Sequence, residues 1–141
     1  MRTIKFKAKT LKTGEWAVGD LVCSNGKFFI KHEDEPNKVF PLCTKVDPDT
    51  VCEFTGFLDK NGNEIYEGDV IHIGSDHGVV VWRDSLCCFS LKISYEKLPG
   101  TTPLGEMLHL YDHEVVGNIH EPEWKHHGNY PQRLRRKGKI N

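Results

Sequence analysis

The sequence predicts a mainly β protein, α+β only to the extent of short helices, and three observations predict it. Apolar and polar residues alternate with period two from the start of the chain, Asn-Gly and similar pairs punctuate successive apolar runs, and no helical periodicity of about 11 residues or more occurs anywhere.

Ile4, Phe6 and Ala8 alternate with Lys5, Lys7 and Lys9, which predicts a strand with one apolar face and one lysine face. Residues 15–23 and 27–32 read as two more strands, joined by a turn through Ser24-Asn25-Gly26. A charged loop at 33–37 precedes a short apolar run at Val39, Phe40 and Leu42, and Asp47-Pro48-Asp49 punctuates the next approach. Phe54–Leu58 and Ile65–Ile73 then bracket Asn61-Gly62, a pair that tolerates the positive φ of a type I′ hairpin turn. Further on, Gly78–Trp82 and Leu86–Ile93 form a strand pair that turns at Arg83-Asp84-Ser85. The prolines of 97–105 exclude a central strand there, because proline has no ladder donor. Residues 104–111 allow a helical turn, and Glu114–His120 is a last strand, stopped by Pro122.

The chain echoes itself. Residues 15–22, Glu-Trp-Ala-Val-Gly-Asp-Leu-Val, align with 64–71, Glu-Ile-Tyr-Glu-Gly-Asp-Val-Ile, at a spacing of about 49 residues, within the range of structural repeats. Two similar small β units are therefore expected. In each, a Gly-Asp step (Gly19-Asp20, Gly68-Asp69) shapes a bend, the glycine supplying backbone freedom and the carboxylate accepting from exposed amides. Gly-Asp-Val-Ile followed by a turn and Gly78–Trp82 is similar to the opening strands of a small SH3-like barrel, here partly opened. The expected organisation is an N-terminal β unit at 1–50, a barrel-like unit at 51–123 and a basic tail at 124–141.

Composition sets further bounds. At 141 residues the chain suits one domain or two very small units, and 14 aromatics compensate for an apolar share of 38%. The net charge of −1 conceals segregation: residues 1–12 hold five basic groups and no acid, 13–123 hold 8 basic against 20 acidic, and 124–141 hold six basic and no acid. No stretch approaches the ~20 apolar residues of a membrane span, and the N-terminus alternates where a secretory leader is apolar, so a cytoplasmic protein without a membrane role is expected. Cys23, Cys43, Cys52, Cys87 and Cys88 are odd in number without C-x-x-C spacing and read as thiols acting as small apolar residues.

The chemistry-bearing residues form no strong motif. His109 and His113 stand four apart, with Asp112 and His120 near, but the run enters a strand where that spacing loses its helical meaning; His126-His127 is a vicinal pair in the tail. No metal site, cofactor or catalytic residue is assigned. Cys87 and Cys88, in one strand, would point to opposite faces, and neither phosphate-binding glycine motif is present. The tail is the strongest functional candidate: Arg133, Arg135, Arg136, Lys137 and Lys139 suit phosphates, and Trp124 and Tyr130 offer rings for stacking bases.

Several of these motifs together resemble the YopX family: Ile4-Lys5-Phe6-Lys7, Gly14-Glu15-Trp16 with Gly19-Asp20, Phe54-Thr55-Gly56 through Gly68-Asp69-Val70, Gly78–Trp82, and Glu114–Glu121. The resemblance runs to about Glu123 and leaves the tail outside. It implies a small β-rich protein of phage or prophage origin and supplies no catalytic or binding residues to carry over. The function expected is a non-enzymatic binding or assembly module, a homo-oligomer or a partner of a host or phage protein. One alternative is nucleic-acid binding through the tail together with Lys5, Lys7, Lys9 and Lys12; another is a small enzyme or an inhibitor of a host enzyme.

Overall fold

The computed structural model describes residues 1–32, 43–93 and 101–122; the apolar run at 39–42 and the basic tail lie outside the described residues. The chain is mainly β, with two antiparallel sheets and, among the described residues, one short α-helix. It divides into two compact units, Met1–Gly56 and Phe57–Asn141.

The first unit contains β1 (Phe6–Lys9), β2 (Trp16–Ser24), β3 (Lys27–His32), β4 (Cys43–Lys45), a 3-10 turn (Pro48–Thr50) and β5 (Cys52–Leu58), whose end runs past residue 56. The strand order is β4-β3-β2-β1-β5, continued in the same sheet by β6 (Glu64–Tyr66). Alternation along β1 works as the sequence reads. Ala8, Ala17, Ile30 and Val46 form a buried core, with Phe6, Leu21, Phe28 and Val51 packed against it, while the lysines take the opposite face. Asn25 and Gly26 both have positive φ (50° and 73°) and join Ser24 to its partner Lys27, the backbone signature of a two-residue type I′ hairpin. The Asp47-Pro48-Asp49 punctuation becomes the 3-10 turn. Asp47 Oδ1 accepts from Asp49 N, and Lys9 N donates to the buried Thr50 Oγ1 at 2.8 Å, which fastens the turn to β1.

The second unit continues with β7 (Asp69–Ile73), β8 (Asp76–Arg83), β9 (Cys88–Ile93), β10 (Thr101–Pro103), α1 (Leu104–Leu110) and β11 (His113–Asn118). The second sheet has the order β10-β9-β8-β7-β11. The proline-bearing segment takes the edge, β10 pairing only with β9. Leu104, Met107 and Leu108, at i, i+3 and i+4, turn the apolar stripe of α1 onto a core of Ile65, Ile71, Ile73, Val80, Phe89 and Leu91. Val70 and Val79 are buried on the other face, with Val81 and Ile119 against them. Residue 116 is extra in the β11–β7 pairing, a bulge between Val115 and Gly117.

The two units share one topology. Each is a four-strand meander whose first strand lies centrally, flanked by the second and the fifth, with a helical segment inserted before the fifth. Neither sheet closes into a barrel among the described residues; in the first unit a single bridge, Thr10 to Val46, brings the chain beyond β4 beside the end of β1. This equivalence corrects the repeat read from the sequence. The topology sets β1 against β7 and β2 against β8, whereas the Gly-Asp echo set β2 against β7. Gly19 lies inside β2, and Gly68 precedes β7.

Candidate functional site

The loop between β5 and β6 is built on one carboxylate that sequence reading passed over. Asp59 is buried (6% exposed). Its Oδ1 accepts from the amides of Asn61 (2.9 Å) and Asn63 (2.8 Å), and its Oδ2 from the Asn63 side chain (3.2 Å) and Val115 N (3.0 Å). Burial pushes this carboxyl up, but the hydrogen bonds from Val115, Asn63 and Asn61 outweigh it and hold the group below its ordinary value. The turn at Asn61-Gly62 is consequently not type I′. Only Gly62 has positive φ (82°), Asn61 keeps a negative φ, and Gly62 N donates to Asp59 O at 3.0 Å. The Asp59 side chain captures the Asn61 amide, so the loop folds as an Asx turn closed by a left-handed glycine. The signal available in the sequence was Asp59 followed by Asn61 and Asn63. His113 adds a second tie, its ring nitrogens 3.0 Å from Tyr111 O and 3.2 Å from Leu58 O.

The two Gly-Asp steps do different work. Asp69 is 1% exposed; its Oδ2 accepts from Tyr66 N at 2.7 Å and its Oδ1 from Asn118 Nδ2 at 2.9 Å, joining the bend before β7 to the end of β11. Gly68, with φ of 87°, donates to Val80 O and accepts from Ile119 N. Asp20, by contrast, is exposed on β2, and Gly19 answers a close approach: a Cβ there would stand 2.0 Å from the backbone oxygen of Lys31.

The face of the first sheet opposite its core collects charge and rings. Cross-strand register places Lys7 beside Val18, Lys9 beside Trp16, Lys31 beside Asp20 and Cys43, Phe29 beside Val22 and Lys45, and Lys27 beside Ser24. Residues paired across antiparallel strands share a face. The ammonium groups of Lys7 and Lys9 lie 4.6 and 5.3 Å from the centre of the Trp16 ring, and that of Lys5 lies 5.1 Å from Phe54. Val18 and Val22 are exposed, Trp16 and Phe29 partly so, while toward β5 the same face is buried at Cys52 and Phe54.

Of the remaining candidates, His109 ends up in α1 and His113 in β11, so the helix stops between them. His72 and His77 are cross-strand neighbours with ring centres 4.8 Å apart. Among the described residues no group of three or more His, Cys, Asp or Glu side chains is arranged to hold a metal ion. Cys87 lies in the loop and not in β9, at positive φ (51°), so it and Cys88 are not successive strand residues. Cys23, Cys43 and Cys87 are exposed, contrary to their reading as small apolar residues, and Cys52 alone is buried. Arg133, Arg135, Arg136, Lys137 and Lys139 lie outside the described residues, as do Trp124, Tyr130 and His126-His127. Among the described residues no helix is long and apolar enough to cross a membrane.

No curated protein matches the chain. The family described as "YopX protein" matches residues 5–123, which span both units and stop short of the basic tail. With most of its length so matched, the chain belongs to the YopX family.

Proposed function

We propose that this chain is a non-enzymatic binding or assembly module, encoded by a phage or prophage and acting in the cytoplasm. The observation that carries this reading is a group of large apolar side chains held out to solvent at one end of the second unit. Leu58, Leu110 and Tyr111 are 53%, 68% and 50% exposed, and the carbonyls of Leu58 and Tyr111 both meet the His113 ring. A cluster of exposed apolar groups on a small protein is costly to leave in water and favours a protein partner or a second copy. The buried polar side chains, Asp59, Asp69 and Asn118, support the same reading, since their hydrogen bonds hold loops and strands in place. We extend the SH3-like likeness to both units, because a five-strand order with a helical segment before the last strand is that of small SH3-like barrels. Such folds host many binding functions, and fold alone selects none. Homo-oligomerisation is tested by light scattering of the full chain and of Leu110→Ser with Tyr111→Ser. An assembly larger than the 16.1 kDa chain that the double variant dissolves supports the reading. Pull-down from induced cells, with and without nuclease, tests a foreign partner; a monomer that captures no protein in either arm overturns it.

A second reading, nucleic-acid binding through the basic tail and Lys5, Lys7, Lys9 and Lys12, is favoured by the lysine face of β1, on which Lys7 and Lys9 stand, with Lys5 just before the strand.

A further inference from the structure

We propose that His113 is a proton-operated latch on the exposed apolar end of the second unit. Its charged imidazole holds both chain segments that carry Leu58 and Tyr111, and its neutral form holds one of them. The inference rests on the reading of that end as a binding surface and supplies its regulation.

The ring sits between two acceptors. Nδ1 lies 3.0 Å from Tyr111 O and Nε2 lies 3.2 Å from Leu58 O. A carbonyl oxygen can only accept, so each contact is a hydrogen bond only when that ring nitrogen carries a proton. The neutral imidazole has one N–H, and whichever tautomer forms, its other nitrogen turns a lone pair toward a carbonyl lone pair. The imidazolium has two N–H groups and satisfies both oxygens. His113 is half-buried, so its ring exchanges protons with water while it stays in place.

The two carbonyls belong to different parts of the chain. Leu58 ends β5, 55 residues from His113, and Tyr111 caps the C-terminus of α1. Their side chains, 53% and 50% exposed, form the apolar end together with Leu110, so the ring fixes the backbone on which that end is mounted. A surface fixed before binding costs less to order when a partner arrives. Other bonds hold the same segments, Lys60 N to His113 O and Tyr111 N to Met107 O, so release of one carbonyl loosens the end without unfolding it.

Titratable groups stand near the ring on each neighbouring element. Asp59 and Lys60 follow β5, and Tyr111 and Asp112 precede β11. Glu114 is next to His113 and pairs with Lys60 Nζ at 3.3 Å, and Asp76 lies in the same cross-strand row beyond Ile73. The helix α1 carries Glu106 in its first turn and His109 in its last. Carboxylates, ammonium groups and phenols ordinarily titrate outside pH ~5.5–8, so imidazoles are what changes across that window. His109 is common to the parent and to any His113 variant and cancels in their difference. His72 and His77 lie on the other face of the sheet, alternating with the core residues Ile71 and Ile73.

The test compares the full chain with His113→Gln and His113→Ala at pH ~5.5 and ~8. Glutamine keeps a donor and an acceptor without a charge, so its contacts do not follow pH. The contribution of the latch is complete where the imidazole is charged and falls as pH rises. Thermal melts should therefore show the parent's lead over both variants growing by about 4 °C from pH ~8 to ~5.5, the worth of one hydrogen bond. Association of the parent, read by light scattering and by pull-down, should strengthen about fivefold in acid, and His113→Gln should remove that dependence. Leu110→Ser with Tyr111→Ser should abolish association at both pH values. A lead that is the same at both pH values overturns the latch, and a growing lead beside association that ignores pH overturns its control of the surface. A growing lead in a chain that neither assembles nor captures a protein at either pH overturns the binding-module reading and leaves the latch standing as a stability device.

Discussion

Replacing Asp59 by Ala removes the acceptor for three backbone amides and one side-chain amide at once. Hydrogen bonds to a charged group contribute about 1.5–3 kcal/mol each, and they do not add when they share one carboxylate. The Asn61 and Asn63 amides sit in an exposed loop and reach water after a small rearrangement. Val115 N belongs to β11, opposite Ile71, beside the bulge, and has less freedom to do so. The structure therefore supports a loss of about 2–4 kcal/mol for Asp59→Ala and roughly half that for Asp59→Asn, which keeps one neutral acceptor. At about 4–8 °C per kcal/mol for a unit of this size, the alanine variant should melt at least 8 °C lower. Urea titration followed by Trp82 emission, with Trp16 and Trp124 changed to Phe, reports the second unit specifically. The carboxyl is held below its ordinary value near 3.8, so its contribution is complete above that pH and is lost as pH falls through the lower folded value. Asp59→Asn should accordingly flatten the stability profile below pH ~4 and leave its shape near neutrality unchanged. Identical midpoints for parent and Asp59→Ala, within about 0.5 kcal/mol, would show that the carboxylate does not organise this loop.

Gly62→Val should cost about 1 kcal/mol or more in the same titration, while Gly62→Asn costs less, because a Cβ there meets open space and only the positive φ is strained. Gly19→Ala should cost about 3 kcal/mol, since its Cβ would collide with the backbone of β3 and force the hairpin apart; a melting temperature within a degree of the parent refutes that close approach. Asp69→Ala should destabilise by about 2–4 kcal/mol, and amide exchange should speed up at Tyr66 and along the end of β11, with β9 protected as before.

What the sequence made legible was local. The alternation of Phe6 and Ala8 with Lys5, Lys7 and Lys9 survives unchanged because β1 buries one face only, the case in which period two is a clean signal. The two Asn-Gly pairs show where legibility stops. Identical dipeptides take different turns, type I′ at Asn25-Gly26 and an Asx turn at Asn61-Gly62, because Asp59 is present at the second and is locked by Val115, 56 residues away. No local window contains that residue. The repeat misled for a related reason: the Gly-Asp step marks a close approach to Lys31 in one unit and a buried staple to Asn118 in the other, so matching letters met unlike demands. The lysine face was legible as charge, but its partnership with Trp16 depends on the pairing of β1 with β2. The tail candidates stay as the sequence left them, outside the described residues.

The shared topology makes the difference between the units informative. In the second, the central strand β7 is buried on both faces, Ile71 and Ile73 on one and Val70 on the other, and its neighbour β8 likewise buries Val79 and Val80. Only His72 of β7 is exposed. In the first, the equivalent strand β1 buries Ala8, while Lys7 and Lys9, and Lys5 just before the strand, are half-buried beside aromatic rings. Strand order, central first strand and helical insertion are the same, so the fold does not require that outward face to be cationic; the second unit shows the same position filled by valine. The lysines of β1 therefore answer to the surroundings of the first unit and not to the shared topology: Lys7 and Lys9 are half-buried beside Trp16, and Lys5 beside Phe54.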